Sequence, residues 1–548
     1  MRLKANRQDK IILVGLFLVS FLLRIAFWSR FPPGFTADEA TMGYDAYSLL
    51  KTGKDQFGTS WPLAFRSFGD WRPPLYVYAS MPFIALFGLT PLSVRLPSMI
   101  AGSLEVGLAY LLTKELFSKK AGIFSAVLLM LSPWSLLQTR FAQEANLSTL
   151  IIFSGVTSFI LWFKRRARPY ALCLAVFFSL SFYSYHNARL TTPLLLIAMF
   201  WIIFRKKEKY WRQWVTPIII GAVLVSPLFL WIKQKPEALF RRASAQSVFS
   251  DPAIKIALWK DIVSMPPDYP IWLSRLQHNK PLYYGKAILG GYLSHFDPRF
   301  LFLSGDPHER FRTPLSGLLN WTMIIFIPIG SLMFIQREAT HRFILFWLFT
   351  SPIVASLSTI VPNSQHAQDM MIPLHLIGGV GAARLFEWMT VLQKSLALSL
   401  FLVSCSLFLY GYAKIIPVQT KYLQAWHYYG DLFKKLSPFY GSKIVFLGGQ
   451  YYINLAFYLR EDPAVFQEEV RISRPDNLAE FDHVESFGSY EFRKTRDIPT
   501  ELNPDTVYVR LNENGELLPD DIEVVDREFW PDGKREYVAF TLSNDSND

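Results

Sequence analysis

Long apolar blocks separated by short polar connections make up the first three quarters of the chain. A helix that crosses a bilayer needs about 20 mainly apolar residues, and about eleven blocks come close to that length. The predicted spans are 11–28, 91–113, 121–137, 147–163, 170–185, 190–204, 215–232, 315–335, 343–360, 371–388 and 395–412. The pattern therefore predicts a polytopic α-helical membrane protein.

Lysine and arginine fix the predicted orientation, because short cytoplasmic loops are enriched in both. With the basic N-terminus inside, the compact basic loops 164–168, 205–212 and 336–342 all fall inside as well. This requires the apolar run 75–89, which Pro82 interrupts, to lie on the outer surface as a juxtamembrane helix. The N-terminus is then cytoplasmic, and two large segments lie outside: a first outer loop, 30–92, and a long outer loop, 233–313.

Residues 413–548 have a different, more charged pattern with frequent Pro and Asp. An amphipathic helix is predicted at 418–436, and strand-like runs occur at 443–448, 505–511 and 537–542. These elements predict a small α/β soluble domain outside the membrane. The predicted organisation is a transmembrane domain, 1–412, which carries both outer loops, followed by an extracytoplasmic domain, 413–548.

Composition agrees with a multi-pass membrane protein. The chain is 51% hydrophobic and only 18% charged, against about 25% charged residues in soluble proteins. The net charge of +12 comes from short basic clusters between apolar blocks, which suit topology determinants, so no nucleic-acid partner is expected. Cys173 and Cys405 lie inside apolar runs and indicate neither a disulfide nor a zinc site.

Ionisable residues gather at the outer ends of the predicted spans. Asp38 and Glu39 follow the first span, and Arg72 lies in an Asp-Trp-Arg-Pro-Pro segment whose prolines would hold it at the lipid headgroups. A rigidly held guanidinium suits a lipid phosphate. Further outer turns carry Arg140, Glu144, His186, Arg189, Asp306, His308, His366 and Asp369.

Each of these groups also has an ordinary structural interpretation. The acidic pair can be part of a solvated loop, and Arg140 and Glu144 have the spacing of a helical ion pair. His186 can be a hydrogen-bonded interfacial histidine. The acidic and histidine residues around Asp306 match no specific zinc pattern, so no metal site is predicted. The sequence requires no cofactor and leaves a divalent metal open.

The order of these motifs resembles that of the GT-C glycosyltransferases, among them the protein O-mannosyltransferase-like group (glycosyltransferase family 39) and the lipid A aminoarabinose transferases. The shared pieces are the acidic pair after the first span, the juxtamembrane helix, the Arg-Pro-Pro-Leu element at 72–75 and the Arg-Leu-Pro-Ser element at 95–98. The resemblance covers 11–412. Residues 40–42 lack the arginine that often follows the acidic pair in relatives, which leaves the acceptor open.

The resemblance implies transfer of a sugar from a polyprenyl-phosphate donor to a hydroxyl of a lipid, glycan or protein in the cell envelope. Asp38 is the expected general base, while Glu39 either orients the acceptor or binds a backbone group. Arg72 is expected to bind the donor phosphate, at the opposite end of the sugar from Asp38. Supporting phosphate contacts are expected from Arg140, Arg189 and His186. A single base and no placed nucleophile imply inversion at the anomeric carbon.

Two other functions share parts of this pattern. A transporter or flippase for lipid-linked saccharides would place polar residues near the bilayer midplane, on broken or repeated helices. The polar residues lie mainly at the outer ends instead, and the two halves show no symmetry. A ligase or polymerase of surface glycans would share the chemistry and differ only in its acceptor.

Overall fold

A computed structural model describes residues 7–32, 34–205, 211–238, 241, 246–416, 432–433, 435–436, 439, 442–448, 452–474, 482–513, 518–519, 522–529 and 535–542. The chain divides into two units by its internal contacts. Unit 1 comprises Met1–Ala26 and Ser98–Tyr412, and unit 2 comprises Phe27–Pro97 and Ala413–Asp548.

Helices dominate the described part of the chain. In chain order, the α-helices are α1 (Arg7–Ile25), α2 (Ala37–Thr52), α3 (Leu75–Phe87), α4 (Pro91–Leu116), α5 (Lys119–Met130), α6 (Pro133–Gln138), α7 (Glu144–Arg165), α8 (Arg168–Ser181), α9 (Ala188–Arg205), α10 (Val215–Gln234), α11 (Pro252–Val263), α12 (Ile271–Gln277), α13 (Lys280–Ser294), α14 (Met323–Ile335), α15 (Ala339–Ala355), α16 (Met371–Trp388), α17 (Val391–Tyr410), α18 (Tyr452–Leu459) and α19 (Pro463–Glu469). The β-strands are β1 (Phe65–Ser67), β2 (Asp70–Arg72), β3 (Lys443–Leu447), β4 (Arg471–Ser473), β5 (His483–Phe487), β6 (Tyr490–Arg493), β7 (Thr506–Glu513), β8 (Ile522–Phe529) and β9 (Arg535–Leu542).

The predicted membrane character is confirmed, and each predicted span overlaps at least one described helix. Five described segments are long and apolar enough to cross a membrane: Pro91–Leu116, Glu144–Arg165, Ala188–Arg205, Val215–Gln234 and Val391–Ile415. The apolar run predicted as a surface helix forms α3, which has 13 residues. The long outer loop, 233–313, contains helices α11 to α13, which the sequence pattern did not predict.

Two predicted spans differ from the observed helices. The span 121–137 is divided into α5 and α6, because Pro133 lacks an N–H and begins a new helix after Ser132. The span 315–335 is helical only from Met323. Its first part is held by long-range backbone bonds instead: Leu319 N donates to Leu301 O at 2.8 Å, and Trp134 N donates to Leu318 O at 2.9 Å.

The core of unit 1 is built where helix backbones approach closely. Trp134, Trp162 and Trp347 are fully buried in it. A Cβ atom added at Gly379 of α16 would collide with the backbone of Ser125 of α5. A side chain there would force these two helices apart, so the small residue permits close packing. Such packing stabilises helix association within a membrane, where the hydrophobic effect does not drive helices together.

Unit 2 contains a seven-stranded sheet in the order β4-β5-β6-β3-β7-β9-β8. Strand β3 pairs in parallel with β6 and β7, and the remaining pairs are antiparallel. Val445, Leu447, Tyr508, Val538 and Phe540 form a buried cluster in it. Strands β3, β7 and β9 lie at the three predicted strand positions. The predicted helix at 418–436 falls almost wholly outside the described residues.

The first outer loop belongs to unit 2, whereas the sequence assigned it to the transmembrane domain. The ring centroids of Phe35 and Phe457 lie 4.6 Å apart, and those of Tyr44 and Phe466 lie 5.5 Å apart. The Gln467 side-chain amide donates to Ser48 Oγ at 3.0 Å, Thr52 Oγ1 at 3.0 Å and Asp55 O at 2.9 Å. Aromatic and polar contacts thus join α2 to α18 and α19, and the loop and the C-terminal sheet form one contact unit.

Candidate functional site

The start of α2 places the predicted acidic pair. Thr36 is the N-cap: its Oγ1 accepts from Glu39 N, and Glu39 Oε2 accepts from Thr36 N, both at 3.1 Å. This reciprocal capping box fixes where the helix begins. Asp38 and Glu39 then fall in the first turn, where the helix dipole favours negative charge. The local sequence therefore determines both the position of the two carboxylates and their stability there.

Glu39 forms a buried ion pair with Arg95, in the first turns of α4. Arg95 Nε lies 2.8 Å from Glu39 Oε1, and Arg95 Nη2 lies 3.0 Å from Oε2. The Glu39 side chain is 0% exposed and the Arg95 side chain is 2% exposed. Arg95 Nη2 also donates to Gly34 O at 2.6 Å. Both Glu39 oxygens are thus engaged, and one accepts from a backbone N–H, which fits the second of the two roles predicted for this residue.

Asp38 forms an ion pair with Arg72 through Asp38 Oδ1 and Arg72 Nη2. The β1–β2 hairpin makes this possible: Ser67 pairs with Asp70, and Phe68 and Gly69 form the turn with positive φ angles of 51° and 87°. The hairpin returns Arg72 to the start of α2 although the two residues are 34 positions apart. The expectation that Asp38 and Arg72 occupy opposite ends of a sugar was wrong, since they are in direct contact.

Solvent access separates the two members of the acidic pair. The Asp38 side chain is 44% exposed and Arg72 is 16% exposed, whereas Glu39 is fully enclosed. Solvent can therefore reach Asp38 but not Glu39. The buried Glu39–Arg95 pair holds the helix start, and the accessible Asp38–Arg72 pair lies on it. We call Asp38 and Arg72 the acid–arginine pair.

A second carboxylate, Asp45, is enclosed two turns further along α2. It accepts from Gln56 N at 3.1 Å and from Gln56 Nε2 at 3.2 Å. Burial raises the pKa of Asp45 well above its ordinary value, the nearby Asp55 raises this pKa further, and the charge of Arg72 opposes the shift. Arg72 thus lies within electrostatic reach of an exposed and a buried carboxylate. The sequence placed Asp45 in the loop but gave no indication of Gln56 as its partner.

Replacing Asp45 by Asn is expected to stabilise the protein at pH 8. Because the folded-state pKa of Asp45 is raised, the unfolded chain releases this proton at a lower pH than the folded chain does. The free energy of unfolding therefore falls as pH rises from about 4 through the folded-state pKa. Asn carries no charge to lose, and its amide can donate to Gln56 Oε1, which has no donor within the described part of the chain. Thermal unfolding of both proteins from pH 5 to 8 tests this. A variant less stable than the parent at pH 8 would contradict it.

Three turns of unit 1 that the sequence assigned to the outer side meet in a polar network. Asn187 Nδ2, in the turn between α8 and α9, donates to His366 O at 3.0 Å. Gln368 Nε2 donates to Asn146 Oδ1 at 2.8 Å. Thr149 Oγ1 donates to Asp369 at 2.9 Å, and burial raises the pKa of Asp369 to about 6. The structure therefore brings together turns that the sequence had only assigned to one side of the membrane.

The remaining predicted phosphate ligands also lie in unit 1. Arg140 Nη2 donates to Ala26 O, and its guanidinium lies 5.5 Å from the Tyr412 ring centroid. His186 begins the turn that carries Arg189, whose Nε donates to Phe182 O at 3.2 Å. These contacts hold Arg140 and Arg189 against backbone carbonyls.

The helices of unit 1 contain two buried charged residues that the sequence analysis did not identify as a pair. Arg24 of α1 is fully buried, and its Nη2 donates to Ser135 Oγ at 2.7 Å. Glu105 of α4 is also fully buried, and neither carboxylate oxygen has a hydrogen-bond donor within the described ranges. Arg24 is the cation that interacts with Glu105. A charge within an apolar run is the signal that would have found both.

The residues around Asp306 cap a loop. Asp306 Oδ1 accepts from His308 N at 2.8 Å, and Oδ2 accepts from Ser364 N at 2.6 Å. No group of three or more His, Cys, Asp and Glu side chains is placed to hold a metal ion among the residues that the structure describes. The carboxylate of Asp306 is therefore committed to backbone N–H groups.

Comparisons with known proteins point to one fold. The family model of dolichyl-phosphate-mannose-protein mannosyltransferases matches residues 71–231, a stretch that begins one position before Arg72. Two solved structures of ArnT from Cupriavidus metallidurans, in the apo state and bound to undecaprenyl phosphate, match with TM-scores of 0.53 and 0.52. Their sequence identities are 12% and 11%, and each match covers 97% of both chains. No curated protein sequence matches the chain.

At these identities the likeness shows the fold. The chain has the fold of ArnT over nearly its whole length. This fold, together with the mannosyltransferase family match over 71–231, confirms the resemblance to the GT-C superfamily that was drawn from the order of motifs in 11–412. The likeness also extends over residues 413–548, which contributed nothing to the sequence resemblance.

Proposed function

We propose that this chain is a membrane glycosyltransferase that transfers a sugar from a polyprenyl-phosphate-linked donor to an acceptor hydroxyl at the outer face of the membrane. The observation that carries the proposal is the acid–arginine pair: an accessible carboxylate in contact with a guanidinium, on a helix start held by a buried ion pair. The ArnT fold and the mannosyltransferase family match over 71–231 support it.

The acid–arginine pair supplies the two groups that such a transfer needs. Asp38 takes the proton of the acceptor hydroxyl as the hydroxyl oxygen attacks the anomeric carbon. The bond between that carbon and the phosphate oxygen breaks, and its electron pair leaves on the phosphate. Arg72 stabilises this charge. Attack from the side opposite the leaving phosphate inverts the anomeric centre.

Contact between the base and the phosphate ligand is compatible with this chemistry. A guanidinium offers five N–H donors in one plane. Arg72 Nη2 contacts the Asp38 carboxylate, and Arg72 Nη1 donates to Asp38 O at 3.5 Å. In the proposed mechanism Arg72 orients Asp38 in the free protein and turns toward the donor phosphate when the donor binds. The lipid carrier proposed for this chain belongs to the same class as the undecaprenyl phosphate in the ArnT complex.

The finer assignments belong to the same proposal. Arg140, Arg189 and His186 are proposed as supporting ligands of the donor phosphate, and Glu39 as a positioning residue. The N-terminus lies in the cytoplasm and the C-terminal domain outside the plasma or inner membrane. The acceptor is a hydroxyl of a lipid, a glycan or a protein.

Arg72→Ala is expected to weaken binding of the donor lipid by about 10- to 100-fold, because the variant loses charge-assisted hydrogen bonds to the phosphate. Arg66→Ala is the matched control. Arg66 lies on the other strand of the same hairpin, is similarly buried, and pairs with Asp482 at 2.5 Å. Donor affinity is measured on the purified proteins. Equal affinity of Arg72→Ala and the parent would remove Arg72 from the phosphate site.

The proposed function is tested by identifying the product. Membranes that contain the protein are incubated with a panel of labelled polyprenyl-phosphate sugars, and labelled products are identified by mass spectrometry. The proposal predicts a new glycoside with the label in the sugar, absent from membranes that contain Asp38→Asn. Label recovered only in intact donor, with every sugar, would contradict it.

A further inference from the structure

An apolar groove runs between α9 and α15 of unit 1. It encloses about 640 Å³ and is lined largely by apolar side chains. That volume lies within the range of ligand sites, roughly 300–1,000 Å³. Its wall residues include Ile197, Trp201, Phe343 and Phe346. Three of these side chains are exposed: Ile197 is 65% exposed, Trp201 59% and Phe346 41%.

Two arginines line the groove at the helix ends that border it. Arg205 is the last residue of α9, and Arg342 is in the first turn of α15. Both line the groove and both are exposed. The Arg205 guanidinium lies 4.9 Å from the Trp201 ring centroid, so a cation–π contact holds it at the end of the groove. Neither guanidinium has an ion-pair partner among the residues with described positions.

We propose that this groove binds an anionic phospholipid, with an acyl chain along the apolar wall and the phosphodiester between Arg205 and Arg342. The groove combines the two surfaces of such a lipid, one apolar and one cationic, in the order in which the lipid carries them. Basic pockets between membrane helices bind anionic headgroups in this way. Trp201 lies one turn before the end of α9, and in the predicted topology this is the boundary between hydrocarbon and headgroups, where tryptophan is enriched. In the predicted topology this end faces the cytoplasmic leaflet.

The charge pattern selects among lipids. A zwitterionic phosphatidylcholine carries its own cation beside the phosphate and gains less from two arginines than phosphatidylglycerol does. Each arginine near an anionic lipid contributes about a fivefold gain in affinity. The Arg205→Gln/Arg342→Gln variant is therefore expected to lose about 20-fold in affinity for phosphatidylglycerol. Sugar transfer is not required for this binding, so the result does not depend on the proposed enzyme activity.

Native mass spectrometry of the full chain with added phosphatidylglycerol or phosphatidylcholine measures this. Arg337→Gln is the matched control: Arg337 is an exposed arginine in the same basic loop that does not line the groove. The proposal predicts loss of phosphatidylglycerol binding in the double variant alone, with an unchanged melting temperature. Equal binding of the two lipids by the parent, or an equal loss in Arg337→Gln, would overturn it. So would a stronger preference of the groove for polyprenyl phosphate.

A fluorescence measurement locates the bound lipid independently. Phosphatidylglycerol with brominated acyl chains quenches a tryptophan that it contacts, and the Trp201→Phe variant identifies the Trp201 contribution. Quenching of Trp201 at low lipid concentration is expected in the parent and in Arg337→Gln, and it is expected to require about 20-fold more lipid in the double arginine variant. Quenching of Trp201 that is the same in all three proteins would place the lipid elsewhere and overturn the proposal.

Discussion

Asp38→Asn is expected to lower the rate of sugar transfer by about 10²- to 10⁴-fold, the contribution of a positioned general base. Asn has nearly the same shape as Asp but cannot accept the proton of the attacking hydroxyl. The Asp38 side chain is 44% exposed, so its replacement removes little packing. Binding of the donor lipid should persist, because Arg72 remains in place.

The control for this variant is Asp70→Asn, which makes the same chemical change in the β1–β2 hairpin. Asp70 Oδ1 accepts from the neighbouring Trp71 N at 2.8 Å, a local turn contact. Turnover and donor affinity are compared in the two purified variants and the parent. Near-normal turnover of Asp38→Asn would remove Asp38 from the role of base, whereas a similar loss in both variants would indicate that the change acts through the fold.

Glu39→Gln is expected to cause the largest loss of stability, about 3–5 kcal/mol, because it leaves the buried guanidinium of Arg95 without its counter-charge. Arg95 is only 2% exposed, so water cannot replace the lost carboxylate. The first turn of α2 should shift as well, since Glu39 also completes the capping box with Thr36. Transfer activity should therefore fall together with stability.

An exposed ion pair of the same length provides the control. Arg384 and Glu387 are also joined at 2.8 Å, but both side chains are more than two-fifths exposed. Glu387→Gln should cost less than about 0.5 kcal/mol. Chemical unfolding of both variants measures the difference. A double variant, Glu39→Met/Arg95→Met, should be more stable than Glu39→Gln, because no charge remains buried. Equal costs for Glu39→Gln and Glu387→Gln would contradict a structural role for the Glu39–Arg95 pair.

The membrane helices could be predicted because the bilayer requires long apolar segments, and such segments can be recognised from the local sequence alone. Helix α16 occupies the predicted residues 371–388, and α10 ends two residues beyond its prediction. Residues 315–322 were assigned wrongly to a span, because their backbone bonds to distant segments such as Leu301. A local hydropathy pattern contains no information about such partners.

The candidate site could be predicted only in part, because it too depends on contacts between residues that are distant in the sequence. The acidic pair and Arg72 were found from their positions next to predicted membrane segments. Their direct contact depends on a hairpin turn at Phe68 and Gly69 that the pattern left as a loop. The packing of the first outer loop in unit 2 depends on contacts such as Gln467 with Thr52, which are 415 positions apart. Only the folded chain brings these groups together.

The most direct test of the proposed function is release of free polyprenyl phosphate from a labelled donor by the purified protein in liposomes, with an acceptor supplied. We predict one free polyprenyl phosphate for each sugar transferred by the parent, and almost none with Asp38→Asn. A flippase would move the donor across the bilayer intact. Movement of intact donor without release of polyprenyl phosphate would therefore contradict sugar transfer by this chain.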